Sequence, residues 1–357
     1  MRTLVRAALV VVVATVVGIA PPARACTAFA DGPLLAKGFD WMTGEGWIVV
    51  NERGRIRSPL FPDSAGDGAW TAQYASVALT TLGPGFPVSG MNEKGLAIES
   101  LVDLDVSAVV QPVPGRLIGL ELLQYGLDRF ATAAELADFA EKARFTQLAV
   151  ALHFFACDAG GDCVVIEPGR DSTRVVRRLP AKVLANEPYR EDWGANHPSG
   201  LAALLPRIGP SRGSSAWRFQ AVASAVKAAP LRDEKAALAT LEKVVMPGRT
   251  QWQIVWNLKE RTLTLRQREA GLGTLSLKLD ELVAECGPSP RARSIGRSAH
   301  ASFTSWSELD AELTKQAIFR QLGHGGVVVQ RLAAVVAEAT QRPGCARPEV
   351  GQRSSLP

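Results

Sequence analysis

In this 357-residue chain the helical patterns come in adjacent pairs, and that grouping limits the possible folds more than any other feature. Leu117 to Phe130 carries apolar residues at helical spacing, and Thr132 to Ala143 follows at once, with Thr132 and Glu135 spaced as a capping box. Ser214 to Ala228 and Asp233 to Val245 make the second pair. Short strand-type runs precede the first pair at Thr27 to Ala30, Leu34 to Phe39, Trp47 to Asn51, Ala75 to Leu82 and Gly95 to Leu101. Four more lie between the pairs, at Ala149 to Cys157, Cys163 to Glu167, Arg174 to Leu179 and Lys182 to Ala185. Gln251 to Asn257 and Arg261 to Arg266 come after the second pair. A doubly wound parallel sheet needs a helical crossover between successive strands, and most of these strands have none. Antiparallel sheets with helices outside them, an α+β arrangement, fit the order better.

The first residues set the start of the mature chain. Arg2 and Arg6 precede an apolar run from Ala7 to Ala20, a Pro21-Pro22 break and Ala23-Arg24-Ala25, the three-part pattern of a secretory signal peptide cut before Cys26. A membrane-spanning helix needs about 20 apolar residues, and this run is shorter. Lipoprotein processing at Cys26 fits poorly, because Ala23 and Arg24 are not the residues it requires. The expected organisation is a signal peptide over 1–25, a main domain over 26–286 and an appended helical hairpin over 287–357. That hairpin is expected from Ser307 to Leu322 and from Val327 to Gln341, beyond the shift at Gly287-Pro288-Ser289-Pro290. The expected location is outside the cytoplasm, periplasmic or secreted, with no stable membrane insertion after processing.

The net charge of +5 includes Arg2, Arg6 and Arg24, so removing the leader leaves +2, too little to support nucleic-acid binding. Of the five cysteines, Cys157, Cys163, Cys286 and Cys345 can make two disulfides in an oxidising compartment, leaving Cys26 as a free thiol. Cys157 and Cys163 flank the turn of an expected hairpin and would pair across it, and Cys286 with Cys345 would then tie the tail to the main domain. His153, His197, His300 and His324 are far apart in sequence and show no metal-ligand spacing. No metal and no cofactor are expected.

A cysteine at a mature N-terminus carries a thiol and a free α-amine on one residue. Their ordinary pKa values, about 8.5 and about 7.7 to 8.0, let the amine take the thiol proton near neutral pH without a histidine. The segments Cys26-Thr27-Ala28-Phe29-Ala30 and Ala36-Lys37-Gly38-Phe39-Asp40-Trp41 resemble the opening of the choloylglycine hydrolase and penicillin V acylase family. Gly90-Met91-Asn92-Glu93-Lys94-Gly95-Leu96, Leu184-Ala185-Asn186-Glu187-Pro188, Ser214-Ser215-Ala216-Trp217-Arg218-Phe219 and Thr250-Gln251-Trp252 extend the resemblance in order to about Cys286. It implies the four-layer αββα fold of N-terminal-nucleophile hydrolases and cofactor-free hydrolysis of a linear, non-peptide amide in a small N-acyl substrate.

The resemblance also implies roles. Cys26 would be the nucleophile and Asp40 would orient its amine. Asn186 and the region of Asn92 would supply donors to the oxyanion, and Arg218 would favour the thiolate. Lys37 stands where many members of the family have arginine; it keeps the charge and loses the planar fork, so substrate preference is open to change. N-acyl amino acids, acyl-homoserine lactones, conjugated bile acids and phenoxyacetyl penicillins are the candidate substrates. Trp41, Trp47, Trp70 and Trp252 are candidates to line an acyl pocket. Two other readings compete with the amidase. One is an exported binding protein of the same fold without turnover. The other is a serine hydrolase with its nucleophile at Gly209-Pro210-Ser211-Arg212-Gly213, where the strand that such an elbow requires is missing from the sequence pattern. Assembly into a homo-oligomer is left open.

Overall fold

The computed structural model describes residues 26–60, 68–81, 83, 86–103, 116–147, 151–169, 172–190, 210–268, 273–283, 285–287, 291–296 and 306–308, with scattered positions from 315 to 345. The expected signal peptide lies outside the described residues.

The chain opens with the hairpin β1 (Thr27–Asp31) and β2 (Leu34–Asp40), turned through Gly32 at φ 56°, a conformation that glycine adopts without strain. Then come β3 (Gly46–Asn51), the small pair β4 (Ile56–Arg57) and β5 (Trp70–Thr71), and the run β6 (Ser76–Thr80), β7 (Pro87–Asn92) and β8 (Ala97–Val102). The helices α1 (Gly119–Arg129) and α2 (Ala133–Lys142) follow. Next are β9 (Leu152–Cys157), β10 (Cys163–Pro168), β11 (Thr173–Val176) and β12 (Val183–Leu184), then α3 (Ser215–Ala228) and α4 (Glu234–Glu242). The described strands end with β13 (Thr250–Asn257), β14 (Thr262–Gln267), β15 (Thr274–Lys278), β16 (Arg291–Ile295) and β17 (Ser307–Glu308).

Two large antiparallel sheets result. One has six strands in the order β12-β1-β2-β13-β14-β15, the other nine in the order β11-β10-β9-β8-β7-β6-β3-β16-β17. Helices α3 and α4 cover the first, and α1 and α2 cover the second. Each central strand therefore buries both faces. In β6, Val77 and Leu79 join the core between the sheets while Ala78 points into the core under α1 and α2. The helix starts follow local chemistry: the Thr132 hydroxyl accepts from Glu135 N, Ser214 from Trp217 N and Asp233 from Ala236 N.

Two expectations change. Between the strand-type runs 75–82 and 95–101 the Gly- and Pro-rich segment Gly83 to Gly90 reads as a connection, yet β7 starts at Pro87 and runs through Gly90. Proline is tolerated at the first position of a strand, and a Cβ on Gly90 would come within 2.6 Å of the Leu127 side chain. Glycine there is a packing requirement. The nine-stranded sheet takes in a strand from beyond 286, because β16 pairs with β3 from Arg291↔Val50 to Ile295↔Gly46. Finally, Ser307–Glu308 is a strand and not the start of a helix; the rest of the expected hairpin lies largely outside the described residues.

Disulfides join Cys157 to Cys163 across the β9–β10 hairpin and Cys286 to Cys345. The second is reinforced by Ile56 N donating to Gly344 O at 3.0 Å and by Arg55 Nη2 donating to Gly287 O at 2.8 Å. No helix among the described residues is long and apolar enough to cross a membrane.

Candidate active site

Cys26 lies directly before β1, a strand held on one side by β12 and on the other by β2. Among the described residues it is the only free cysteine, and it is buried. Arg218, in the first turns of α3, fixes the main chain around it. Nη1 donates to Cys26 O at 2.6 Å and to Thr27 Oγ1 at 2.7 Å, and Nη2 donates to Asn186 Oδ1 at 3.0 Å. Asn186 is thereby oriented with Nδ2 toward Val102 O, 2.8 Å away at the end of β8. Ser215 Oγ accepts from Asn186 N at 2.9 Å and Glu187 N at 3.1 Å, which locks the Asn186 turn to the start of α3. Cys26, Arg218 and Asn186 thus meet at one place through three separate elements.

Asp40 ends β2, and its carbonyl lies 3.9 Å from Cys26 Sγ. Burial pushes its carboxyl up to about 7, against a hydrogen bond from Thr250 and the charges of Arg218 and Lys37. Oδ1 is buried without a hydrogen-bond partner. Burial also pushes the Cys26 thiol up; the strongest influence opposing it is the Lys37 ammonium, with Arg218 weaker. Arg218, expected to favour the thiolate, acts on Cys26 in that direction and more weakly than Lys37. Its own pKa is lowered by burial, and its guanidinium serves mainly as a clamp. Lys37 is fully buried and reaches across to the second sheet, donating to Val88 O at 2.6 Å and Ser100 O at 2.7 Å.

Trp41 follows Asp40 and continues an aromatic row: its ring is 6.0 Å from Phe39, which is 4.7 Å from Trp252. Trp47 and Trp70 do not join them. Trp47 packs with Val49 and Ala292, and Trp70 meets Tyr125 edge to face under α1. Asn92 is not brought into the hydrogen-bond group around Cys26 either. Its Nδ2 donates to Leu127 O and Phe130 O, and its Oδ1 accepts from Lys94 N and Leu96 N. All four capacities of the amide are used in a turn and a helix end, so its side chain has no donor left for an oxyanion. Ser211 is an exposed turn residue ahead of α3.

Sequence reading passed over Thr27, Ser215 and Glu99. Thr27 and Ser215 sit inside the matched segments, next to residues singled out there, and that adjacency was the available signal. Glu99 gave no signal, because its partners come from the other sheet and from a neighbouring strand. No group of His, Cys, Asp and Glu among the described residues is arranged to hold a metal ion.

Two face-to-face antiparallel sheets between helical layers are the αββα architecture of N-terminal-nucleophile hydrolases. Penicillin V acylase from Agrobacterium tumefaciens shares it, with a TM-score of 0.61 and 22% identity over 80% of this chain and 98% of that one. A mutant conjugated bile acid hydrolase from Clostridium perfringens matches with a TM-score of 0.57 and 17% identity over 72% of this chain and 93% of its own. A second variant of that hydrolase matches with the same TM-score of 0.57 over 76% and 96%. At these identities the likeness is one of fold. No family model and no curated protein matches the chain.

Proposed function

We propose that this chain is an exported cysteine hydrolase of the choloylglycine hydrolase and penicillin V acylase type, which cleaves a linear, non-peptide amide through an acyl-enzyme on Cys26. The observation that carries the reading is the single free thiol at the head of β1, with its main chain clamped by Arg218 and an oriented asparagine amide on the same clamp. The names of two similar proteins, a conjugated bile acid hydrolase and a penicillin V acylase, support it.

Cleavage before Cys26 would free its α-amine beside Asp40, whose unpartnered Oδ1 is available to accept from the ammonium. The amine takes the thiol proton and sulfur attacks the amide carbonyl carbon. The carbonyl oxygen becomes an oxyanion, and the second hydrogen on Asn186 Nδ2, unmatched among the described residues, donates to it. Collapse breaks the C–N bond as the ammonium returns its proton to the leaving nitrogen. Water then hydrolyses the thioester and restores the thiol. The row Trp41, Phe39 and Trp252 offers an apolar surface to the acyl group. No cofactor takes part. Oxidative pairing of the four other cysteines suits a periplasmic or secreted location.

The test compares protein beginning at Cys26 with protein carrying a non-removable residue before it, using N-acyl amino acids, acyl-homoserine lactones, conjugated bile acids and phenoxyacetyl penicillin. Intact mass confirms each start. The processed protein should turn over at least one substrate and trap its acyl group on Cys26. The extended protein and Cys26→Ala should fall by about a thousandfold or more. Full activity in either would refute the reading.

A further inference from the structure

Among the described residues, Lys37 of β2 and Glu99 of β8 form the only ion pair in which both side chains are 0% exposed, with Nζ 3.3 Å from Oε2. The pair joins the two sheets. Glu99 Oε1 accepts from Ser89 Oγ at 2.7 Å and Trp256 Nε1 at 2.9 Å, while Lys37 Nζ also reaches the two carbonyls of Val88 and Ser100. Stability alone does not account for such a pair, since apolar residues of similar volume often do as well or better in its place. Its location offers a reason. Lys37 stands opposite Ala28 in the β1–β2 register, two residues from Cys26, and no other cation acts as strongly on Cys26. Burial pushes the Glu99 carboxyl pKa up, and the Lys37 ammonium with the Ser89 and Trp256 donors opposes that push, so each member of the pair supports the charge of the other.

We propose that Glu99 is a positioning residue for the nucleophile: by pairing with Lys37 between the sheets, it holds a charged ammonium beside Cys26. The inference rests on Cys26 being the nucleophile. The charged groups acting on Cys26 are Lys37 and Asp40 from β2 and Arg218 from α3; Glu187 acts on Arg218, and Glu99 acts through Lys37.

The experiment follows the rate of iodoacetamide labelling of Cys26 against pH in the full protein beginning at Cys26, with kcat/KM profiles alongside. Glu99→Gln and Lys37→Met should each move the midpoint upward and slow labelling at pH 7 about tenfold, one pKa unit. In the Lys37→Met background Glu99→Gln should add nothing, as expected for a residue acting only through its partner. Ser89→Ala keeps both charges, removes one donor to Glu99, and should give a smaller upward shift. It also serves where Glu99→Gln fails to fold. An unmoved midpoint in folded Glu99→Gln, or in folded Ser89→Ala where Glu99→Gln does not fold, overturns the proposal, as does an undiminished shift in the Lys37→Met background. Wild-type protein whose Cys26 stays inert at every pH removes the nucleophile reading and this proposal with it.

Discussion

Asp40 and Asp128 are both buried aspartates, and the molecule surrounds them in opposite ways. Asp128, on α1, has every oxygen engaged: Oδ2 accepts from Arg57 Nε at 2.9 Å and Trp70 Nε1 at 2.8 Å, and Oδ1 accepts from Gln124 Nε2 at 2.8 Å. Asp40 has a hydrogen bond from Thr250, while its Oδ1 is buried without a hydrogen-bond partner. Burial raises the pKa of both. The first arrangement is a finished joint between a helix and the β4–β5 pair. The second leaves an acceptor open where the proposed chemistry brings a cation. A buried polar atom without a partner calls for an explanation, and at Asp40 the proposed ammonium supplies one.

Substitution should separate the two. Asp40→Asn is expected to cost about a hundredfold to ten-thousandfold in turnover, the range for a residue governing proton transfer. Its effect on stability should have the other sign. The folded carboxyl titrates near 7 and the unfolded one near 3.8, so the folded state of the precursor-length chain keeps a proton that the unfolded chain has lost. The group's contribution is complete below the lower value and declines as pH rises through the upper one. Asp40→Asn should therefore raise the Tm of that chain at pH 8 and leave it unchanged at pH 3.5. A lower Tm at pH 8 would show that Asp40 is a structural group like Asp128.

Asp128→Ala leaves the Arg57 guanidinium without its counter-ion, with only Asn51 Oδ1 still bound among the described residues, and should cost about 3 to 5 kcal/mol in denaturant unfolding. The surviving folded fraction should keep its kcat/KM. A selective loss of turnover would extend the site to α1. The smallest effect is expected at Asn92, where Asn92→Ala removes side-chain hydrogen bonds worth about 0.5 to 1.5 kcal/mol each. Stability should fall by a few kcal/mol with kcat unaltered, and a fall in kcat at full folding would return Asn92 to the reaction.

What was legible in the sequence follows the same division. The paired helices, their Thr132, Ser214 and Asp233 starts, and the first hairpin are local patterns, and they were readable as such. Strand β7 was not, because Pro87, Ser89 and Gly90 look like a turn until Leu127 is seen packed over Gly90. Strand β16 was hidden by Arg291 and Arg293, whose side chains are only partly buried beside β3. At the site, Cys26, Asn186 and Arg218 stand in recognisable segments. The burial of Lys37, and Glu99 as its partner, depend on how the two sheets face each other, which no local spacing encodes.

The grip of Arg218 on the Cys26 carbonyl and the Thr27 hydroxyl falls entirely downstream of the Cys26 nitrogen. Hydrolysis of the peptide bond before Cys26 breaks neither contact, nor the Asn186 contact on the same guanidinium. On the proposed function, latency in this chain would be covalent: these contacts would already be in place and only a free amine would be missing. The clock for its first turnover would then be the peptidase that makes the cut, with no lag for rearrangement afterwards.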